Sequence, residues 1–381
     1  MAVRYPTLIV IILAGCAAPP PAPYGSTETP GHAHPGDVLR AEAFPGAPDG
    51  ATATRILYSS TTPDGRPIGV SGLVITPVAP PPQGGRPILA WLHPTTGVAQ
   101  GCAPALGPQP FGQIQGLATF LAAGYTVVAT DYPGLGSPGV HPYLIGASEA
   151  HAALDSVRAA AHLEANQAPP RFAVWGHSQG GQAALFTAAL ASSYAPELRL
   201  AGVAAAAPVT DVAALLERPG QNPLWGGLLS YTVWSWSQVF GLDPDAIVPS
   251  AVGPAVARIA RDCLESGPEL KALVAESAPL QGQPVTPAAG WTRLLAENAP
   301  RAEDIRVPVF LAQGDADPVI VPSLTRDFAG RLCRANTPVR YLAMPGVDHY
   351  TAAVRSAGQA SAWIAERFAG LPPPDNCGAI D

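Results

Sequence analysis

The chain has 381 residues, 48% hydrophobic and 13% charged, with 21 Lys and Arg against 28 Asp and Glu and a formal charge of −7. So much apolar sequence with so little charge buries a large core, which excludes wholesale disorder; the length suits one large α/β domain with an insertion, or about two ordinary domains. The acidic balance argues against a nucleic-acid partner, because binding phosphates takes a clustered cationic face.

Arg4 precedes an apolar run over 8–13. The run is too short to cross a bilayer, which takes about 20 apolar residues, and it fits the h-region of a secretory signal. It ends in Leu13-Ala14-Gly15-Cys16, which resembles the lipobox of bacterial lipoproteins. The resemblance implies a signal peptide over 1–15, a lipid on Cys16 and a membrane anchor at the cell envelope. Residues 16–36, with six prolines between 19 and 35, read as a semi-extended tether in which His32 and His34 are solvated. The folded part is expected over 37–381. Past Cys16 stand Cys102, Cys263, Cys333 and Cys377. Four cysteines admit three pairings, and exported proteins form disulfides. Proximity favours Cys333 with Cys377, leaving Cys102 with Cys263; none has the C-x-x-C spacing of a zinc or redox site.

Strands are predicted over 54–60 and 68–76, separated by the turn residues Pro63-Asp64-Gly65. Short buried-type strands follow at 87–92, 125–130, 172–175, 200–206, 307–312 and 339–342. Helices are predicted at 113–123, 147–166 and 182–191, and after each of the last two strands. Such alternation implies a mostly parallel sheet covered on both faces. Residues 211–300 break the rhythm and hold four of the seven tryptophans, with Leu228, Leu229, Tyr231 and Phe240. They read as an inserted helical cap whose aromatic residues either wall an apolar pocket or form the cap's own core.

Gly176-His177-Ser178-Gln179-Gly180 is a G-x-S-x-G string, a weak signal by itself. Its setting is stronger, since it follows a short apolar strand and opens an alanine-rich helix, the context of a nucleophile elbow. Ser178 is therefore the candidate nucleophile. In α/β-hydrolases the partners follow in the order Ser, acid, His, and His349 is the only histidine after Ser178. Its expected role is to take the Ser178 proton and return it to the leaving alcohol. The acid belongs on the loop after the preceding strand, Gly314-Asp315-Ala316-Asp317-Pro318. Asp317 is preferred for its G-x-x-D spacing, with Asp315 a loop brace and Asp348 a lesser alternative. An oxyanion hole needs two preset donors. The Gln179 N–H at the helix start is one; Pro94 has no N–H, so Thr95 or Thr96 supplies the other, with His93 bracing that loop.

From about residue 58 to Cys377 the chain resembles the secretory lipase family of the yeast lipase A type, an α/β-hydrolase group. The resemblance is carried by Gly101-Cys102-Ala103-Pro104, Thr130-Asp131-Tyr132-Pro133-Gly134, the elbow with Gly181-Gln182-Ala183, Ser193-Tyr194-Ala195-Pro196-Glu197-Leu198, residues 317–322, and His349 with Thr351-Ala352. It implies an α/β-hydrolase fold, Cys102–Cys263 and Cys333–Cys377 disulfides, Thr96 as the second oxyanion donor, and hydrolysis of esters whose acyl chain lies under a helical cap. The cap is compact and the chain runs only four residues past Cys377, where the family carries a long flap, so a short-chain esterase is an alternative to a lipase. The expected function is a serine ester hydrolase with no metal or organic cofactor, acting on lipid or small-molecule esters. The rivals are a peptidase or acyltransferase with the same residues, and a non-catalytic lipoprotein that binds apolar ligands.

Overall fold

The computed structural model describes residues 24, 25, 31, 33–164, 170–217, 222–264, 267–281, 283, 285 and 287–380. The expected signal segment, Cys16 and His32 lie outside the described residues. The elements run β1 (Val38–Ala43), β2 (Ala51–Thr61), β3 (Pro67–Pro77), β4 (Ile88–Leu92), α1 (Leu117–Ala122), β5 (Thr126–Thr130), α2 (Gly146–Leu163), β6 (Arg171–His177), α3 (Gln179–Tyr194) and β7 (Arg199–Ala206). Then come five helices, α4 (Val212–Leu216), α5 (Trp225–Phe240), α6 (Gly253–Ile259), α7 (Gly267–Glu276) and α8 (Ala289–Glu297). β8 (Val309–Gly314), α9 (Pro322–Arg334), β9 (Val339–Met344) and α10 (Ala352–Phe368) complete the chain.

The strands form a sheet in the order β1-β2-β3-β5-β4-β6-β7-β8-β9. From β1 to β5 in that order the pairing is antiparallel, and from β5 to β9 it is parallel. This is the α/β-hydrolase architecture. β4 and β8 are buried along their whole length, which is why they read as unbroken apolar runs. β1 escaped the sequence reading because it is an edge strand whose residues are half-buried or exposed, Arg40 and Glu42 among them.

One face of the sheet packs on α2, α3 and α9 through Ile88, Val128, Val174, Leu154, Leu185 and Phe328. The opposite face packs on α1 and α10, where Trp91 and Trp175 pair with centroids 6.0 Å apart, near Phe120 and Trp363. Helices α4–α8 share a separate core, which Val98 and residues 143–145 join from the main body. Disulfides link Cys102 to Cys263 and Cys333 to Cys377. Among the described residues no helix is long and apolar enough to cross a membrane.

One helix start departs from the sequence reading. α1 starts only at Leu117, because Gly116 stands at φ +85° and the stretch before it turns. Within the expected tether, Tyr24 is buried, donates its N–H to Gly136 O at 2.9 Å and lies under the Arg55 guanidinium, 4.2 Å from its ring centre. The aromatic face and the cation attract, which helps to hold this residue on β2.

Candidate active site

β6 delivers Ser178 at the carboxyl edge of the sheet. Its pairing with β4 ends at Leu92 opposite Gly176, and with β7 at Ala206 opposite His177. The chain then reverses sharply into α3. Ser178 sits at φ 55°, ψ −116°, a strained conformation for a side-chain-bearing residue. It is held there by its N–H to Ala206 O at 3.0 Å, with its carbonyl accepting from Gln182 N. The flanking glycines are steric necessities. A Cβ on Gly176 would lie 2.0 Å from Gly180 O, and one on Gly180 would lie 1.9 Å from Leu92 O. Hence α3 begins at Gln179, three residues before its expected start, with Gly180 and Gly181 inside it. Helix propensity disfavours glycine there, but only glycine fits.

The loop after β9 brings His349 to Ser178. His349 Nδ1 lies 2.8 Å from Asp317 Oδ2 and Nε2 lies 2.9 Å from Ser178 Oγ. The carboxylate accepts from Nδ1–H, so Nε2 presents its lone pair and accepts from the serine hydroxyl. Asp317 Oδ1 accepts from the N–H groups of Val319 and Ile320, each at 2.8 Å, and Oδ2 also from Gln313 Nε2 at 3.0 Å. Burial pushes the Asp317 carboxyl up, yet His349 and those two N–H groups outweigh it and hold it below the ordinary carboxylate range. His177 Nε2–H donates to His349 O at 3.0 Å. Burial first, and neighbouring His349 second, push the His177 ring down to about 3, which leaves it neutral.

The other candidates fall elsewhere. Asp315 Oδ1 accepts from Gly346 N at 2.6 Å and braces the two loops. Asp348 turns away to accept from Thr351 N and Oγ1. His93 is buried and donates Nδ1–H to Pro94 O at 2.7 Å; burial pushes its pKa down to about 4, so it is a neutral brace. Gln179 is the first residue of α3, where a helix leaves N–H groups without intrahelical partners. Thr95 lines the cavity beside Ser178 and its hydroxyl bonds Tyr143 Oη at 2.8 Å. Thr96 is buried behind it, its carbonyl accepting from Leu264 N at 2.7 Å.

Ser178, His177 and His349 open into a cavity of about 400 Å³ walled by Pro94, Leu224, Leu228, Leu264, Leu270, Val319 and Tyr350. Apart from Tyr350, its apolar wall is aliphatic. The tryptophans of α5 and α8 instead pack inward, Trp236 stacking on Trp291 at 5.9 Å and Trp225 fully buried. Among the described residues no group of three or more His, Cys, Asp or Glu is disposed to hold a metal ion. A serine hydroxyl aligned with an imidazole and a carboxylate, below an apolar cavity and beside a helix N-terminus, is equipped for nucleophilic acyl transfer.

A model of the secretory lipase family matches residues 113–238, which include β6, the Ser178 turn and α3. Over that stretch, about a third of its length, the chain is similar to the family. Among its relatives, a probable inactive lipase of Mycobacterium tuberculosis is 31% identical over 52% of this chain and 46% of its own length. The chain thus spans about half of that relative, whereas the match to lipase 9 of Candida albicans, 24% identical, covers 90% of this chain and 81% of the lipase. In fold it is similar to Candida antarctica lipase A, with a TM-score of 0.76 at 18% identity over 93% of this chain and 86% of that one. It is also similar to the rice cell wall degrading esterase LipA of Xanthomonas oryzae, with a TM-score of 0.69 at 20% identity over 88% and 98%.

Sequence reasoning missed Glu149, His141 and Tyr143, which surround Gln179 and Thr95. Glu149 lies in the first turn of α2, where an acidic residue ordinarily means a solvated partner for the helix dipole. The available signal was its place beside the buried stripe Ala150, Leu154 and Val157.

Proposed function

We propose that this chain is a serine ester hydrolase acting on esters with apolar acyl groups. The observation that carries the reading is the row Ser178–His349–Asp317, joined at 2.9 and 2.8 Å. His349 Nε2 takes the hydroxyl proton as Ser178 Oγ bonds to the acyl carbon. The oxyanion is held by the Gln179 N–H and an N–H of the Thr95–Thr96 turn. His349 then protonates the departing alkoxide, and water attacking the acyl-serine by the reverse proton path releases the acid. Asp317 keeps the imidazole in the required tautomer and steadies the imidazolium. The cavity walled by Leu224, Leu228, Leu264 and Leu270 favours an apolar acyl chain.

The test is Ser178→Ala. The variant is expected to fold, to lose turnover of p-nitrophenyl esters, and to escape labelling by a fluorophosphonate probe that modifies the parent rapidly. Turnover undiminished in Ser178→Ala refutes the reading. Similarity to a probable inactive lipase favours a second, non-catalytic reading, which a parent protein inert to esters and to the probe would establish. Amide substrates and alcohol acceptors separate a peptidase or acyltransferase from a hydrolase. Similarity to secretory lipases supports export; anchoring through Cys16 is part of the proposal, and Cys16→Ser should release the protein to the soluble fraction.

A further inference from the structure

Gln179 contributes more than its main chain. Its side-chain amide is pinned from two sides below the Ser178 turn. Gln179 Nε2 lies 3.2 Å from His141 Nε2 and 2.8 Å from Glu149 Oε1. The direction of these bonds follows from His141. Its Nδ1 lies 2.8 Å from Pro133 O, a pure acceptor, so Nδ1 carries the proton and Nε2 is left as an acceptor. Gln179 then donates one amide proton to His141 and the other to Glu149. All three side chains are at most 1% exposed. The support reaches α5, because Ser235 Oγ–H donates to His141 O at 2.6 Å.

Glu149 is an uncommon choice for such a place. Oε2 finds no hydrogen-bond partner among the described residues, and a carboxylate with one bare oxygen in an apolar interior costs far more than a neutral carboxyl. The titratable groups around it offer no countercharge. Burial keeps the Tyr132 and Tyr143 phenols protonated and pushes His141 down to about 3, so it is neutral. Burial likewise pushes Glu149 up to about 8, against the bonds from Gln179 and the Leu144 main chain.

We propose that Glu149, acting with His141, is a positioning residue that locks Gln179 and so keeps the N–H at the start of α3 aimed at the acyl oxygen. A neutral carboxyl supplies the acceptor that Gln179 needs without placing a negative charge behind an oxyanion. Ionising Glu149 would both repel the developing charge and loosen the lock, so the acid form is the working form. The inference rests on Ser178 being the nucleophile, and the experiment separates the two.

The experiment compares Glu149→Leu and Glu149→Gln with the parent and Ser178→Ala in steady-state ester hydrolysis across pH 6–10. Glu149→Leu is expected to lower kcat by roughly 10- to 100-fold, less than the roughly 100- to 1000-fold of deleting an oxyanion donor, with KM within about twofold. Glu149→Gln restores the acceptor and should recover most of that kcat. The parent should lose kcat as Glu149 ionises above about 8, and Glu149→Gln should not show that alkaline fall. Wild-type kcat in Glu149→Leu, or an unchanged alkaline limb in Glu149→Gln, overturns the inference. If Glu149→Leu does not fold, the pH profile of Glu149→Gln decides alone. Loss of turnover in Ser178→Ala with wild-type behaviour in both Glu149 variants overturns only this inference, whereas turnover retained in Ser178→Ala overturns the reading beneath it.

Discussion

Cys263 reaches back across 161 residues to Cys102, and the bond lies against Gly97, where a Cβ would stand 2.7 Å from the Cys102 sulfur. The next residue, Leu264, lines the cavity and donates its N–H to Thr96 O at 2.7 Å. The disulfide therefore staples the wall of the apolar cavity to the loop that carries Thr95 and Thr96. Replacing both cysteines by Ala should cost about 2–5 kcal/mol in denaturant unfolding and lower kcat as that loop loosens. The Cys333–Cys377 bond instead joins α9 to the segment after α10, away from Ser178; replacing both of its cysteines by Ala should lower stability while kcat stays within about twofold of the parent.

The two aspartates of the β8 loop are distinguishable by turnover. Asp317→Asn keeps the shape but removes the acceptor that fixes the His349 tautomer, and a change of that kind costs about 10⁴-fold in kcat. Asp315→Asn touches only the bond from Gly346 N and should cost less than about tenfold, in line with one exposed hydrogen bond. The reverse ranking in steady-state kinetics would move the acid to Asp315.

Gly180 tests whether the turn geometry is as tight as the distances say. An alanine methyl there would meet Leu92 O at 1.9 Å and His93 O at 2.7 Å, so backbone must move. Gly180→Ala should lose about 1–3 kcal/mol or more from overpacking and lose most turnover as Ser178 shifts. Gly101→Ala, with nothing within 4 Å of its Cβ, should stay within about 0.5 kcal/mol of the parent. Circular dichroism melting alongside ester turnover reads both.

The raised pKa of Glu149 also makes a statement about stability. Folded, the group releases its proton only near 8, whereas an unburied carboxyl releases it near 4.5. Between those values the native state holds a proton that the unfolded state does not, so this group's contribution falls as pH rises through the window. Glu149→Gln has no such proton. The unfolding free energy of the parent relative to Glu149→Gln should therefore decline from pH 4.5 to 8, by at most about 1.4 kcal/mol per pH unit, and level off above. A pH-independent difference in denaturant titrations would show that Glu149 is not held neutral.

Much of the arrangement was legible because local pattern carries it. The buried strands β4, β5, β6 and β8 announce themselves as short apolar runs, since a sheet covered on both faces leaves no polar alternation. The Ser178 turn is legible because strand, glycines and helix stand next to one another in the chain. β1 was not, because an edge strand with exposed Arg40 and half-buried Glu42 carries little burial signal. Sequence left open whether the cap's aromatic residues wall the cavity, since tryptophan content says that a segment has a core but not which way each ring points; Trp225, Trp236 and Trp291 fill the helical layer and leave Leu224 and Leu228 facing the cavity.

The chain order alone singled out Ser178 and His349, because only one histidine follows the serine, and short-range spacing ranked Asp317 above Asp315. Composition, strand runs and glycine placement likewise determined the α/β architecture, since these depend on neighbours a few residues apart. What only the folded chain decided is contact between distant groups. The distances joining positions 178, 317 and 349, the largely aliphatic lining of the cavity, and the lock of Glu149 and His141 on Gln179 arise from distant segments that meet at one sheet edge. No local pattern encodes which buried carboxyl will face which amide, because that is set by the packing of α2 against α3.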